Sequence, residues 1–171
     1  MAPTKMFEKL VTPRMVGYRV TENDFDELYR LNLDPEFAKT MGGSPSESQM
    51  RDAFSNNLAH WEKYGYGVWT FRIREDGAFL GRAGIRNITI ESVPEIELLY
   101  GLRPEFWRRG FATEMALAIL EVASTVGISN LIAVTLPTNL GSRGVMEKVG
   151  FRYERDVTWA NLPHVLYRKK L

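Results

Sequence analysis

Apolar and polar positions alternate along this chain in two rhythms, one of period two and one near 3.6, and these exchange repeatedly from one end to the other. RMVGYRV (14–20) is rich in β-branched and aromatic residues and predicts a first strand. TENDFDELYRLNL follows with Phe25, Leu28, Leu31 and Leu33 at near-helical spacing and Thr21 or Asn23 as the cap. Pro35 and GGSPS (42–46) then punctuate the chain. SESQMRDAFSNNLAHWEKY predicts a helix with Met50, Phe54, Leu58 and Trp61 on one stripe, ended by Gly65. GVWTFRIRED and GAFLGRAGIRNITI form an antiparallel strand pair divided by the turn-forming dipeptide Asp76-Gly77. EIELLYGL (95–102) is a further strand, and from near Gly110 a helix carries Met115, Ile119, Val122 and Val126 at helical steps until Gly127. LIAVTL reads as a short buried strand, NLGSRGVMEKV as a helix closed by Gly150, and FRYERDV and HVLYRKK as two final strands. Without repeats, linkers or low-complexity tracts, these alternations describe a mixed sheet flanked by helices.

A length of 171 residues suits one domain with a real core, spanning 1–171, with 1–11 expected as a flexible lead-in. Apolar residues at 44% and charged residues at 25% are the usage of a globular protein in water. The 22 basic and 21 acidic residues nearly cancel, so no broad field attracts nucleic acid or an anionic membrane; neither is expected as a partner. Any charge logic must be local. The absence of cysteine removes disulfides, thiolate nucleophiles and thiolate metal sites together. MAPTKMFEKL lacks a signal-peptide core and no later run reaches membrane-span length, so the expected location is cytoplasmic.

FWRRGFATEM (106–115) carries the candidate chemistry. Pro104 stops the preceding strand, and Gly110 at the loop-to-helix junction lets a ligand approach the backbone. The first turn of a helix has unpaired N–H donors and a partial positive end, which together bind phosphate; Arg108 and Arg109 would reinforce it. The competing reading is a surface arginine pair beside an ordinary helix start. No Walker loop is present, and GYGVWT lacks the third glycine and following helix of a dinucleotide fingerprint.

ELLYGLRPEFWRRGFATEM (97–115) resembles the acetyl-CoA-binding motif of the GNAT superfamily of N-acetyltransferases, with Trp107, Gly110 and Ala112 at the motif positions. The tryptophan followed by Ala-Thr-Glu is similar to the branch containing RimJ/RimL-type ribosomal-protein N-terminal acetyltransferases. NLGSRGVMEKVGF (139–151) resembles that branch's second segment, with Asn139, Ser142, Glu147-Lys148 and Gly150-Phe151 in place, and the likeness spans roughly residues 12 to 168. The resemblance implies an α/β (α+β) fold: a single GNAT-like domain with a mixed, mostly antiparallel central sheet of six to seven strands flanked by about four helices. It implies acetyl-CoA as cosubstrate, no metal, and direct acetyl transfer to a primary amine.

In that family frame the amides of Arg108, Arg109, Gly110, Phe111, Ala112 and Thr113 cradle the pyrophosphate, and the strand edge ending at Leu102 and Arg103 pairs with pantetheine. Glu97 is the expected base, acting directly or through water. Ser142 serves the thiol end, and Asn139 caps its helix while touching pantetheine. The proton-donating tyrosine of many members is replaced by Met146. Strand alternation puts Ile96, Leu98, Tyr100 and Leu102 on one face and Glu95, Glu97, Leu99 and Gly101 on the other, so the alternative is that both acids face solvent. Ser142 and Asn139 also suit plain capping roles. His60 and His164 are too isolated for a triad or metal cluster and are expected to be structural or exposed. Trp61, Tyr64, Tyr66 and Trp69 line either an acceptor cleft or the core.

An α-amino group, with a pKa near ~7.8, is on the order of 10% neutral at pH 7, against well under ~1% for lysine. A weak base therefore favours a protein or peptide N-terminus as acceptor, with a small amine also open. The alternative function is a catalytically weak acyl-CoA-binding module, for which Met146 is the best argument; a homodimer is left open.

Overall fold

The computed structural model describes residues 7–171. Its strands are β1 (Lys9–Val11), β2 (Met15–Arg19), β3 (Val68–Ile73), β4 (Phe79–Ile90), β5 (Val93–Leu102), β6 (Asn130–Thr135), β7 (Arg152–Trp159) and β8 (Leu162–Lys170). The helices are α1 (Phe25–Leu33), α2 (Pro35–Met41), α3 (Glu47–Tyr64), α4 (Phe111–Thr125) and α5 (Leu140–Lys148). One sheet runs β1–β2–β3–β4–β5–β6–β8–β7, and every neighbouring pair is antiparallel except β5–β6.

The expected class holds, with one more strand and one more helix than the upper expectations. Lys9–Val11 lie inside the segment expected to be a flexible lead-in, yet they pair with β2 through Lys9↔Tyr18 and Val11↔Val16. Residues 1–6 of that lead-in lie outside the described residues. Pro35 does more than punctuate: it opens α2. Asp34 caps this helix, its Oδ1 accepting from the Glu36 amide at 2.9 Å and the Phe37 amide at 3.2 Å, while proline at the first position has no amide to satisfy.

Thr21 caps a single tight turn, Glu22–Asp24, and Asp24 rather than Thr21 or Asn23 stands at the start of α1; the ends of α3 follow the expected chemistry. Ser46 Oγ accepts from the Gln49 amide at 3.1 Å and Gln49 Oε1 accepts from the Ser46 amide at 2.9 Å, a reciprocal box that starts α3. Gly65, at φ 74, closes α3 in the left-handed conformation. The hairpin between β4 and β5 turns on Glu91 and Ser92, both left-handed at φ 48 and 68, without a glycine. Glu91 Oε1 accepts from the Thr158 amide at 3.0 Å, which ties that turn to β7.

The aromatic run at the α3–β3 junction is core. Trp61 and Trp69 are sealed from solvent and meet edge to face at 4.8 Å between ring centroids. Trp61 Nε1 donates to the Val68 carbonyl at 2.9 Å, so its one polar group is satisfied. These two residues cannot line an acceptor cleft. Tyr64 is exposed, and Tyr66 joins His60 and Asn87 in a polar cluster: the Tyr66 hydroxyl and His60 Nε2 both bond Asn87 Oδ1 or its amide within about 3 Å. Burial, opposed by the bonds to Tyr66 and Asn87, pushes His60 below its ordinary value of 6.5. His164 is buried, with Nδ1 3.1 Å from the Leu162 carbonyl, and neither histidine belongs to a metal-ligating cluster among the described residues.

The parallel junction positions the site. β4 and β5 pair continuously from Ile90↔Val93 to Gly81↔Leu102, whereas β5 meets β6 at the single register pair Glu97↔Ile132. Beyond this pair, which engages the Leu98 amide, the strands part, so the edge from the Leu98 carbonyl to Leu102 is free of β6. The crossover that joins these two strands is α4.

Two glycine substitutions test the packing in opposite directions. A Cβ at Gly84 would lie 2.3 Å from the Gly67 oxygen and 2.7 Å from the Val68 Cα, both rigid backbone. Gly84→Ala is expected to lose about 1–3 kcal/mol, seen as a lower thermal midpoint by circular dichroism. Gly144→Ala, within α5 and with nothing inside 4 Å, is expected to gain up to about 1 kcal/mol.

Candidate functional site

The turn that leaves β5 is built to aim backbone rather than side chains. The Arg103 amide still donates into the β4–β5 ladder, to the Leu80 carbonyl at 2.9 Å. Pro104–Phe106 then form one tight turn, and the Trp107 indole reaches back to the Leu102 carbonyl at 2.8 Å, stapling the loop to the strand it leaves. Arg108 (φ 59) and Gly110 (φ 79) are both left-handed, which turns successive peptide planes before α4 starts at Phe111. Glycine adopts this conformation freely; for Arg108 it is strained by roughly 1 kcal/mol.

The result is a run of free donors. Among the described residues no protein group accepts from the amides of Arg108, Arg109, Gly110, Phe111, Ala112 or Thr113, and Glu114 is the first to bond backwards, to the Gly110 carbonyl at 3.1 Å. Such a cluster at the positive end of a 15-residue helix has the chemistry that suits an anion. Arg108 and Arg109 are exposed beside it.

A brace from the far end of the chain sets this turn. Arg14 Nη1 donates to the Arg109 carbonyl at 2.9 Å and its Nε to Glu114 Oε2 at 2.8 Å, while its guanidinium lies 4.0 Å from the Phe111 ring centroid. Glu114 Oε1 accepts from the Arg14 amide at 2.9 Å and from Thr12 Oγ1 at 2.6 Å. Burial would raise the Glu114 carboxyl, but the bonds from Thr12 and from the Arg14 amide and side chain outweigh it and hold the group below its ordinary 4.5. Sequence reasoning missed Arg14, which reads there only as the start of a strand.

Alternation along β5 orders the rest. Because Arg103 points its amide at β4, the backbone groups of Leu102, Tyr100 and Leu98 point to the other side; the Leu98 amide there serves the one register pair with β6, and beyond it β6 has departed. The Arg103 amide is therefore committed within the sheet, and the Leu102 carbonyl has one acceptor position taken by Trp107.

Neither acid of β5 faces solvent. Glu95 is paired with Arg168 through bonds of 2.7 and 3.1 Å. Glu97 is 4% exposed and lies opposite Arg86 in the ladder. Arg86 Nε and Nη2 both bond Glu97 Oε2, at 3.1 and 2.7 Å. Oε1 has no partner among the described residues and, unlike the sealed Arg82 Nε, is not closed off from solvent.

At the N-terminus of α5, Asn139 Oδ1 accepts from the Ser142 amide at 3.2 Å, a cap. The Tyr100 hydroxyl donates to the Ser142 carbonyl at 2.9 Å, and Ser142 Oγ lies 3.2 Å from the same phenol oxygen. Burial, partly offset by the Ser142 bond, pushes Tyr100 up to about 12, so it stays neutral near pH 7. Ser142 is thus held against the free edge of β5. Tyr100, read from the sequence only as one position on a strand face, supplies that contact. Met146 is buried in the core and offers no proton. No cluster of three or more metal-ligating side chains occurs among the described residues, and no helix there is long and apolar enough to cross a membrane.

Comparison with known proteins gives concordant findings. The family described as the acetyltransferase (GNAT) domain matches residues 14–152. The uncharacterized protein YkkB of Bacillus subtilis (strain 168) is 29% identical over 164 residues, 95% of each chain. Among solved structures, an acetyltransferase from Agrobacterium tumefaciens str. C58 superposes with a TM-score of 0.83 at 24% identity, covering 94% of this chain and 93% of its own. A Salmonella typhimurium acetyl transferase that modifies the N-terminal serine of ribosomal protein L7/L12 superposes at 0.76 with 15% identity, covering 94% and 96%. At these identities the structural matches speak to the fold.

The brace makes a prediction about pH. Because the folded Glu114 titrates below 4.5, its contribution is present above that value and lost as pH falls through the folded pKa. Glu114→Gln should be less stable than wild type at pH 7 and lack that part of the acid-limb loss in thermal melts from pH 7 to 3. Its affinity for coenzyme A should fall about tenfold, or about 1.4 kcal/mol, by calorimetry.

Proposed function

The chain belongs to the GNAT acetyltransferase family, and from that premise we propose that it moves the acetyl group of acetyl-CoA to a primary amine, with a protein or peptide N-terminus favoured and a small amine as the second class. One observation carries the reading: six consecutive free amides at the start of α4 adjoin a strand edge from which Glu97 and the Tyr100–Ser142 pair project.

In this reading the diphosphate of the substrate binds the amides of residues 108–113, with Arg108 and Arg109 adding charge. The pantetheine arm runs along the free edge of β5, bonding the Leu98 carbonyl and the backbone of Tyr100 and Leu102. Asn139 and Ser142 flank it from α5. Arg103 contributes its carbonyl or side chain, since its amide is engaged.

Glu97 Oε1 takes a proton from the acceptor ammonium, directly or through one water, while Arg86 keeps Oε2 and fixes the carboxylate's orientation. The neutral nitrogen attacks the thioester carbonyl and a C–N bond forms; the nitrogen, now cationic, gives up its second proton to water or to the departing sulfur as the C–S bond breaks and the electron pair leaves on sulfur. A thiol of pKa about 8.5 departs as thiolate without prior protonation, and an aliphatic hydroxyl is a far weaker acid than that. The role of Ser142 is therefore to donate a hydrogen bond to the departing sulfur, with Tyr100 holding it in place. This chemistry does not need a tyrosine at the position of Met146.

The same reading separates from a binding module that lacks turnover. Acetyl-CoA incubated with a pool of peptides and small amines should release thiol; tight binding with no release on any acceptor would favour the module. Glu97→Gln should lower kcat/KM about 10²-fold at pH 7 and recover in part as pH rises and the amine becomes neutral unaided. Ser142→Ala should lower kcat roughly tenfold and leave the coenzyme A dissociation constant unchanged. Equal rates for wild type and Glu97→Gln across the pH range would remove Glu97 from this role.

A further inference from the structure

The sheet face that carries Glu97 holds more positive charge than the protein neutralises there. Arg82 and Arg86 lie four residues apart on β4 and so share a face; Arg86 stands opposite Glu97, and Arg82 stands between Thr70 on β3 and Gly101 on β5. The three side chains Arg82, Arg86 and Glu97 leave one uncompensated positive charge, because Glu97 gives Oε2 to Arg86. α2 packs close above this point: a Cβ on Gly101 would lie 2.9 Å from the Phe37 ring.

Arg82 is the anomaly. Its Nε is buried without a hydrogen-bond acceptor, and among the described residues its guanidinium has no carboxylate or carbonyl partner. The terminal nitrogens are not sealed in the way Nε is, so the fork opens on one side. Burial, reinforced by Arg86 and opposed by Glu97, lowers Arg82 to about 10, so it is still a cation at neutral pH. A half-buried cation whose Nε–H is sealed and unpaired costs the fold stability, and a methionine or leucine would fill the same space without that cost. A guanidinium retained there is suited to what its planar fork binds best, a carboxylate taken through two parallel N–H bonds.

We propose that Arg82 receives a carboxylate carried by the acceptor, so that the substrate class is an acidic amine: an amino acid with a free carboxyl group, or a peptide whose first residue is acidic. This rests on the acetyl-transfer reading above. The backbone stations of Arg82 and Arg86 are separated by roughly 13 Å, a span that one arginine side chain shortens to the size of a small acidic amine. A carboxylate at Arg82 would place the amine of such a molecule toward Glu97 Oε1, and it would supply the negative charge that the two arginines and one glutamate lack.

The test pairs binding with turnover. N-Acetylglycine, for the free amino acid, and N-acetyl-Asp-Ala-Ala-amide, for the peptide, are titrated calorimetrically into the protein saturated with coenzyme A, each beside its neutral amide analogue. Whichever acid matches the site should bind at least tenfold tighter than its analogue, and Arg82→Gln should abolish the difference without altering coenzyme A affinity. Arg82→Gln and Arg82→Met should also melt higher than wild type, since each removes a sealed, unpaired Nε–H and a half-buried charge beside Arg86; a merely structural arginine would show the opposite. In thiol-release assays glycine against glycinamide, and Asp-Ala-Ala-amide against Asn-Ala-Ala-amide, should show the same preference in kcat/KM and the same loss in Arg82→Gln. If neither acid binds better than its analogue, or the preference survives in Arg82→Gln, the proposal is overturned. Acid binding that depends on Arg82 without turnover of any amine would instead sustain the anion site and overturn the acetyl-transfer reading.

Discussion

Everything at this site depends on keeping a run of peptide N–H groups unbonded while the polypeptide around them stays rigid. Unpaired donors at a helix start are ordinary; six in succession, presented by a turn with two left-handed residues, need external support. Arg14 supplies it by drawing the Arg109 carbonyl to itself and joining Glu114, while Trp107 anchors the strand side of the same turn. The strain at Arg108 is small beside these bonds. A ligand diphosphate arriving there finds donors already oriented, so little ordering remains for binding to provide.

The second constraint is the parting of β5 from β6. A sheet continuous past Glu97 would use the backbone of Leu98, Tyr100 and Leu102 for its own ladder. A single register pair at Glu97↔Ile132 releases that edge while the rest of β5 stays fixed to β4. The catalytic groups proposed here stand where the release begins, Glu97 at the last paired position and Tyr100 three residues further. Weak acid–base chemistry is adequate for such a site, because an α-amino group is already partly neutral, the nitrogen becomes strongly acidic once it has attacked, and the thiolate leaves readily. Orientation matters more, and it comes from Arg86 at Glu97 and from Tyr100 at Ser142.

Much of this was legible in the sequence because it is local. The Gly110 junction, the Ser46 start and Gly65 end of α3, and the β3–β4 hairpin each depend on residues within a few positions, where capping and turn chemistry leave a mark. α2 was missed because Pro35 reads equally as a break or as a first helical residue, and only the cap by Asp34 resolves it. β1 is three residues long and exists by pairing with β2. The Arg14–Glu114 brace joins residues 100 positions apart, and nothing near Arg14 announces it. The same holds for the buried state of Glu97 and for Arg82: alternation assigned Glu97 a strand face, but the coverage of that face comes from tertiary packing. Tyr100 was placed on its face correctly, and its bond to Ser142 required knowing that α5 docks there.

Backbone amide NMR with and without coenzyme A examines the central claim at its source. The amide protons of residues 108–113 should shift downfield together on saturation, and their exchange with solvent should slow. Saturable binding that leaves those six resonances in place, with the perturbed amides elsewhere in the chain, would contradict the account.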